Sequence, residues 1–188
     1  MEFDQLIFQK IFRFYKKNRK ADPLLDARTV ALADIKQKLT ILARALSGKA
    51  IDLFPATKDG GYQNNNYYLP FTFSLLDSPE KNIQFYVYRI GYLYIQQKLN
   101  LNWELNSSYS LKESEDKAIE SSKEVLALLF EELPVLKSIH DEAKLQIEKD
   151  FTATKKNSNP DYSWLYGHWM KNPPKQEGDD LEHINRLK

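Results

Sequence analysis

Three histidines are the side chains of this sequence best suited to acid–base chemistry, because an imidazole titrates near neutral pH. His140 lies in an acid-rich stretch, which predicts an exposed side chain. His168 lies among aromatic residues, which predicts a packed, hydrogen-bonded ring. His183 stands three residues after Asp180, but one such pair supplies too few ligands for a metal site. The sequence therefore predicts neither catalytic nor metal-binding residues here.

Other catalytic patterns are also missing. With no cysteine, the sequence has no thiol nucleophile, no thiolate metal site and no disulfide framework. Asp59-Gly60-Gly61 is not followed by the lysine that a phosphate-binding loop requires. Asp-Gly is typical of hairpins, so Asp59, Gly60 and Gly61 are predicted to form a structural turn. Since no serine-hydrolase, zinc-protease or kinase motif is present, the sequence favours a protein that is not an enzyme and needs no cofactor.

A basic run near the start of the sequence is the first candidate for partner binding. A solvated helix end is its simplest explanation, and a protein partner or an anionic polymer are the alternatives. The formal net charge is only +1, from 27 basic and 26 acidic residues, which makes nucleic acid an unlikely partner. The candidate partner-binding residues in this run are Lys10, Arg13, Lys16 and Lys17.

An aromatic cluster in a polar region is the second candidate. Such a cluster docks either onto its own domain or onto a neighbouring protein. We expect a helical domain with an inserted hairpin over residues 1–151, and an aromatic-containing tail or linker over 152–188. The candidate partner-binding residues in the tail are Tyr162, Trp164, Tyr166 and Trp169.

Hydrophobic spacings of three and four residues predict about five helices. Ser78 and Pro79 suit the N-cap and the first helical position, and Gly48 suits the residue after a helix end. Gly91, inside the most apolar helix, predicts a close crossing with another helix. The predicted helices cover about residues 2–20, 34–47, 78–99, 114–133 and 134–151.

Two short strand candidates, 51–54 and 67–73, lie between the second and third predicted helices. We read them as a β-hairpin or short meander. The predicted fold class is α+β and predominantly helical, with a short β-hairpin between helices two and three. No stretch approaches the ~20 apolar residues of a membrane span, and the N-terminal residues lack the secretory pattern. We therefore expect a cytoplasmic protein without a membrane span.

Short motifs between residues 35 and 105 carry a family resemblance. They are Leu42-Ala43-Arg44-Ala45-Leu46-Ser47-Gly48, Ile51-Asp52-Leu53-Phe54-Pro55-Ala56, Gly60-Gly61, Leu69-Pro70, Tyr88-Arg89-Ile90-Gly91-Tyr92 and Leu101-Asn102-Trp103. These motifs resemble the N-terminal helical region of NorD-type proteins, the von Willebrand factor A-domain activators of nitric oxide reductase. The A-domain motif Asp-x-Ser-x-Ser is missing, and 188 residues leave no room for that domain. The resemblance is therefore to the helical region alone, lacking the A-domain itself.

The resemblance implies a maturation factor that works in the cytoplasm with a MoxR-type AAA+ ATPase on a metalloenzyme such as nitric oxide reductase. On this basis we expect a non-enzymatic adaptor or interaction module, with the ATPase or the metalloenzyme client as its partner. The alternative is an enzyme or small-ligand binder with a pocket between the tyrosine-rich third helix and the hairpin.

Overall fold

The computed structural model describes residues 23–57, 59–104, 106–153 and 160–171. Several predictions lie outside these residues: the helix over 2–20, the partner-binding role of Lys10, Arg13, Lys16 and Lys17, and the assignment of His183.

Helices dominate the described part of the chain, and four of its five short strands lie between the second and third helices, so the predicted α+β class is confirmed. The helices are Pro23–Arg28 (α1), Leu32–Ser47 (α2), Pro79–Lys98 (α3), Leu111–Glu132 (α4), Leu136–Ala153 (α5) and Ser163–Tyr166 (α6). The strands are Val30–Ala31 (β1), Asp52–Ala56 (β2), Tyr62–Gln63 (β3), Asn66–Pro70 (β4) and Thr72–Phe73 (β5).

Helix α3 is the centre of the fold, and α2, α4 and α5 pack against it. Apolar and aromatic residues surround most of its circumference, which a helix can sustain only when neighbours cover it. Its start is specified locally, because the Ser78 side chain accepts a hydrogen bond from the Lys81 amide and Pro79 occupies the first turn. None of the described helices combines the length and the apolarity needed to cross a membrane.

Local signals specify two other helix boundaries. Helix α2 ends at Gly48, whose φ of 66° is the left-handed conformation that the sequence indicated. Helix α4 starts at Leu111, before the predicted start at Ser114, because Ser110 and Glu113 form a capping box. Ser110-x-x-Glu113 is visible in the sequence, so this start was predictable.

The close crossing predicted at Gly91 is confirmed. A Cβ atom at this position would lie 2.6 Å from Leu136 Cδ1 and 3.2 Å from Leu129 Cδ1. Leu136 belongs to α5 and Leu129 to α4, so one glycine lets both helices approach α3. The helix-propensity cost of glycine, about 1 kcal/mol, is offset by this packing.

The sheet differs from the prediction in its connections. A β-hairpin does lie between α2 and α3, but β3 and β4 form it, across the turn Asn64–Asn65. The two strands that the sequence suggested as hairpin partners, β2 and β4, instead run parallel, with Phe54 opposite Tyr68. Two parallel strands begin at the same end of a sheet, so the chain must travel back along the sheet after β2. The residues from Asp59 through β3 make that return.

We expect Gly91→Val to destabilise the fold by about 1–3 kcal/mol, because the added methyl groups overpack the contact with Leu136 and Leu129. Gln84→Val is the matched control, since Gln84 is an exposed residue of the same helix, and it should cost less than about 1 kcal/mol. Urea denaturation measures both values. Equal losses for the two variants would contradict the close crossing.

Candidate functional site

Residues 160–171, called the docked segment below, lie against the body of the fold and are held largely through backbone groups. The parts of the fold that hold it are the β2–β3 connection, β3, the loop after α3 and the first turn of α4. The bonds are His168 N–H to Gly60 O (3.0 Å), Trp169 N–H to Ser114 O (3.2 Å), Trp103 N–H to Met170 O (3.0 Å) and Gln63 Nε2 to Lys171 O (2.7 Å).

Arg89 of α3 lies beneath this segment with a fully buried side chain. Its Nη1 donates to Leu165 O at 2.6 Å, and its Nη2 donates to Asp59 O at 3.2 Å. The guanidinium also lies 5.5 Å from the centre of the Tyr92 ring. Burial lowers the pKa of the Arg89 guanidinium. One buried cation thus joins the docked segment to the loop that follows β2.

Glycines allow the backbone of the docked segment to approach the backbone of the β2–β3 connection. We call this place the junction, and it consists of Asp59–Gly61, Arg89 and Gly167–His168. Gly60 and Gly167 both have a φ of 69°, a conformation that other residues rarely adopt. A Cβ on Gly167 would collide with the carbonyl of Gly60 and with Nη2 of Arg89. The Asp59-Gly60-Gly61 bend therefore supports the junction, whereas the hairpin turn lies at Asn64–Asn65.

His168 is packed and hydrogen-bonded, as the sequence predicted. Its Nδ1 lies 3.1 Å from the Oδ2 of Asp59, a carboxylate that is almost completely buried, while the imidazole itself is partly exposed. In an aspartate–histidine pair the carboxylate orients the imidazole, and the imidazole can act as a general base. Among the described residues, however, no serine, threonine or lysine side chain hydrogen-bonds to His168, so the pair lacks an activated nucleophile.

His140 is buried, so its predicted exposure is wrong. Only 5% of the residue is exposed, and the rings of Tyr88, Phe130 and Tyr166 enclose the imidazole at 5.7, 5.5 and 6.2 Å. Its Nδ1 lies 2.9 Å from Asp141 Oδ1, and its Nε2 lies 3.4 Å from the Tyr166 hydroxyl. Burial lowers the pKa of His140.

The difference concerns which face of α5 packs against the core. Hydrophobicity predicts that Ile139 faces the core, whereas the structure buries His140 and leaves Ile139 partly buried. Both residues fit a helical stripe that includes Leu136 and Ala143, and hydrophobicity favours isoleucine. No local signal predicts that three aromatic rings from other helices surround position 140.

The aromatic residues proposed as partner contacts pack within the fold. Trp164 lies edge-on to Phe73, and Trp169 lies edge-on to Trp103. The remaining two also have intramolecular partners, Glu148 for the Tyr162 hydroxyl and His140 for Tyr166. The cluster thus docks onto its own domain. A role of Tyr162, Trp164, Tyr166 and Trp169 in binding a partner stays a prediction.

The space between α3 and the hairpin, where the alternative function places a pocket, contains packed side chains. Tyr67 and Leu69 of β4 and Tyr86 of α3 are fully buried there. The Tyr86 hydroxyl donates to Pro70 O at 2.7 Å, and the Tyr67 hydroxyl donates to Gln97 Oε1 at 3.0 Å. Burial raises the pKa of both phenols, which keeps them protonated.

Comparisons of the chain with protein-family models, with curated proteins and with solved structures give no match. The resemblance to NorD-type proteins therefore stays a prediction. Among the described residues, no three histidine, aspartate or glutamate side chains lie close enough together to hold a metal ion.

We expect Arg89→Met to destabilise the chain by about 2–4 kcal/mol, because the buried carbonyl of Asp59 loses a donor and that of Leu165 keeps only the Tyr88 hydroxyl. Arg44→Met is the control. It also loses a bond to a backbone carbonyl, from Nε to Ile51 O at 2.8 Å, and an ion pair with Asp52, but both side chains of that pair are half exposed and water can replace the lost partners, so we expect a loss of about 1 kcal/mol. Thermal or urea unfolding measures both. The role of Arg89 is wrong if the two variants lose the same stability.

Proposed function

We propose that this chain is a non-enzymatic adaptor or interaction module that binds a protein partner through the outer face of α5. The observation that carries the proposal is an apolar side chain left on the surface. Leu145 is 49% exposed and borders a shallow depression of about 520 Å³. The depression is lined by Leu145, Glu148, Lys149, Thr152 and Ala153. An apolar centre with a polar rim is the usual arrangement of a protein contact, and here Leu145 is the apolar centre while Glu148, Lys149 and Thr152 form the rim.

The buried polar side chains of α3 donate to backbone carbonyls, which supports a role other than catalysis. Along α3, polar side chains recur at intervals of seven residues, and each donates to the backbone of a loop or of the docked segment. They are Asn82, which donates to Leu76 O, Arg89, which donates to Leu165 O, and Gln96, which donates to Leu101 O. Catalytic groups in a site normally converge on a cavity that substrate can enter. These three groups are instead committed to holding the fold together.

The alternative function, an enzyme or ligand binder, has less support. It requires open space between α3 and the hairpin, where Tyr67, Leu69 and Tyr86 are packed. Two aspartate–imidazole pairs in the described residues resemble acid–base machinery. The Asp59–His168 pair faces no hydrogen-bonded nucleophile, and the imidazole of the Asp141–His140 pair is buried among aromatic rings.

The resemblance to NorD-type proteins suggests the identity of the partner. We propose a cytoplasmic MoxR-type AAA+ ATPase, or the metalloenzyme that such an ATPase remodels. The basic residues Lys10, Arg13, Lys16 and Lys17 would provide a second contact with the same partner. Two lysines of α5, Lys144 and Lys149, are close to Leu145 in sequence and offer sites for chemical crosslinking.

We expect lysine-directed crosslinking of the full chain in its native cells to join Lys144 or Lys149 to an AAA+ ATPase or a metalloenzyme. Leu145→Glu should reduce these crosslinks about tenfold, because a carboxylate replaces a contact worth about 1.5 kcal/mol. The variant should fold normally, since Leu145 is already half exposed.

Ile41→Glu is the matched control, because Ile41 is 63% exposed on a different helix, α2. It should leave the crosslinks unchanged. Crosslinks that survive Leu145→Glu would remove α5 as the binding face. Capture of neither an ATPase nor a metalloenzyme would contradict the proposed partner.

A further inference from the structure

One side of α3 is only partly covered by the described elements. Its other sides pack against α2, α4, α5, the sheet and the docked segment. On the open side, Ile83 is 39% exposed, and Val87 is partly buried. The two residues are four positions apart, so they lie on the same face of the helix. They form an apolar strip along the central helix of the fold.

Helix α2 forms one wall beside this strip. Lys36 lies over the Phe54 ring of β2, so its flank of α2 faces the sheet. At 3.6 residues per turn, Ile35 and Leu42 lie on the opposite flank of α2, and both are partly buried. This flank therefore adds apolar surface to the strip.

Helix α5 forms the other wall. His140 contacts Tyr166 and Glu148 binds Tyr162, so that flank of α5 faces the docked segment. Val135, which is 70% exposed, and Ile139 lie on the opposite flank, beside the strip. Together the three helices form a groove lined by Ile35, Leu42, Ile83, Val87, Val135 and Ile139.

The two ends of the groove differ in charge. Helices α2 and α3 begin at the same end, because β1, which leads into α2, pairs with β5, which precedes α3. Carboxylates outnumber basic groups at this end, and the opposite holds where the two helices finish. The first end contains Asp34, Asp77, Glu80 and Glu142 with Arg28 and Lys81, and the second contains Lys49 and Lys98 with Glu132.

We propose that this groove binds residues 2–20 of the same chain. In the helix that the sequence predicts over these residues, apolar side chains recur at spacings of four, four and three and share one face. They are Phe3, Ile7, Ile11 and Phe14. Such a helix spans about 28 Å, and α3, with 20 residues, spans about 30 Å. The apolar face of the segment thus matches the groove in length and in chemistry.

The position of α1 determines the direction in which the segment runs. The carbonyl of Arg28, the last residue of α1, accepts a hydrogen bond from Asn82 near the start of α3. The six residues of α1 span only about 9 Å, so the chain enters α1 close to the acidic end of the groove. The basic run at the end of the segment then meets carboxylates, and Glu2 and Asp4 meet lysines. This antiparallel arrangement also pairs the helix dipoles favourably.

Docking leaves part of the basic run accessible. In the predicted helix, Arg13 and Lys16 lie on the side opposite Ile7 and Phe14. They remain available to a partner when the apolar face is docked. The inference rests on the groove and holds whether or not α5 binds a protein.

Because the sequence has no cysteine, introduced thiols can test the proposal. In the full chain, Lys17→Cys with Gln84→Cys places one thiol on the segment and one on an exposed residue beside Ile83. With a bismaleimide linker of about 10 Å, the distance between packed helix axes, we expect a crosslink within one chain. The control pair is Lys17→Cys with Glu120→Cys, since Glu120 is exposed on α4. It should react about tenfold more slowly, because docking raises only the first effective concentration.

Amide hydrogen exchange of residues 3–14 is the second measurement. Ile83→Glu should lower the protection of these amides about tenfold, because a carboxylate replaces a buried apolar contact. Ile119→Glu is the matched control, since Ile119 is 38% exposed on α4, near Ser121, which binds Trp169. It should leave the protection unchanged. Val135→Glu provides a second groove variant, should Ile83→Glu fail to fold.

Three outcomes would overturn the proposal. The first is equal reaction of the two cysteine pairs. The second is a crosslink that joins two chains, which would place a second copy in the groove. The third is protection of residues 3–14 that is missing from the native chain, or that survives in the folded groove variants.

Discussion

The fold depends on a buried arginine whose two terminal nitrogens donate to backbone carbonyls. A guanidinium in a protein interior is costly unless hydrogen bonds replace its water, and so is a buried carbonyl without a donor. Arg89 meets part of both requirements at once, because Nη1 donates to Leu165 O in the docked segment and Nη2 donates to Asp59 O in the loop after β2, while Nε has no hydrogen-bond partner. The cation and the two irregular segments are each stable there only in the presence of the others.

Other buried polar side chains of α3 also donate hydrogen bonds to backbone carbonyls outside the helix. Asn82 binds the carbonyls of Arg28 and Leu76, and Gln96 binds the carbonyl of Leu101. An irregular segment that packs on a core would otherwise leave such carbonyls unpaired, since it lacks helix or sheet partners. Side chains of the central helix supply the missing donors. This explains how a mostly helical fold accommodates loops against its core.

The elements were predictable where the signal is local. The structure confirms three such signals. Ser78-Pro79 begins α3, Gly48 ends α2, and Gly91 lets two helices approach α3 closely. The Ser110–Glu113 capping box, which sets the start of α4, is an equally local signal. Local chemistry of this kind acts within one turn of helix, so a single sequence contains it.

The site was not predictable, because its groups meet over long separations. Asp59 and His168 are 109 residues apart, and Arg89 reaches Leu165 across 76 residues. The parallel pairing of β2 with β4 likewise depends on a chain reversal that turn propensities do not encode. His140 shows the same limit, since rings from α3, α4 and α6 decide its burial.

The central claim is that the docked segment is an integral part of the fold, clamped by Arg89, and amide hydrogen exchange at pH 7 tests it most directly. The account predicts that the His168 and Trp169 amides, which donate to Gly60 O and Ser114 O, exchange nearly as slowly as those in the middle of α3. Exchange of these two amides at the rate of an unstructured peptide, while α3 remains protected, would contradict it.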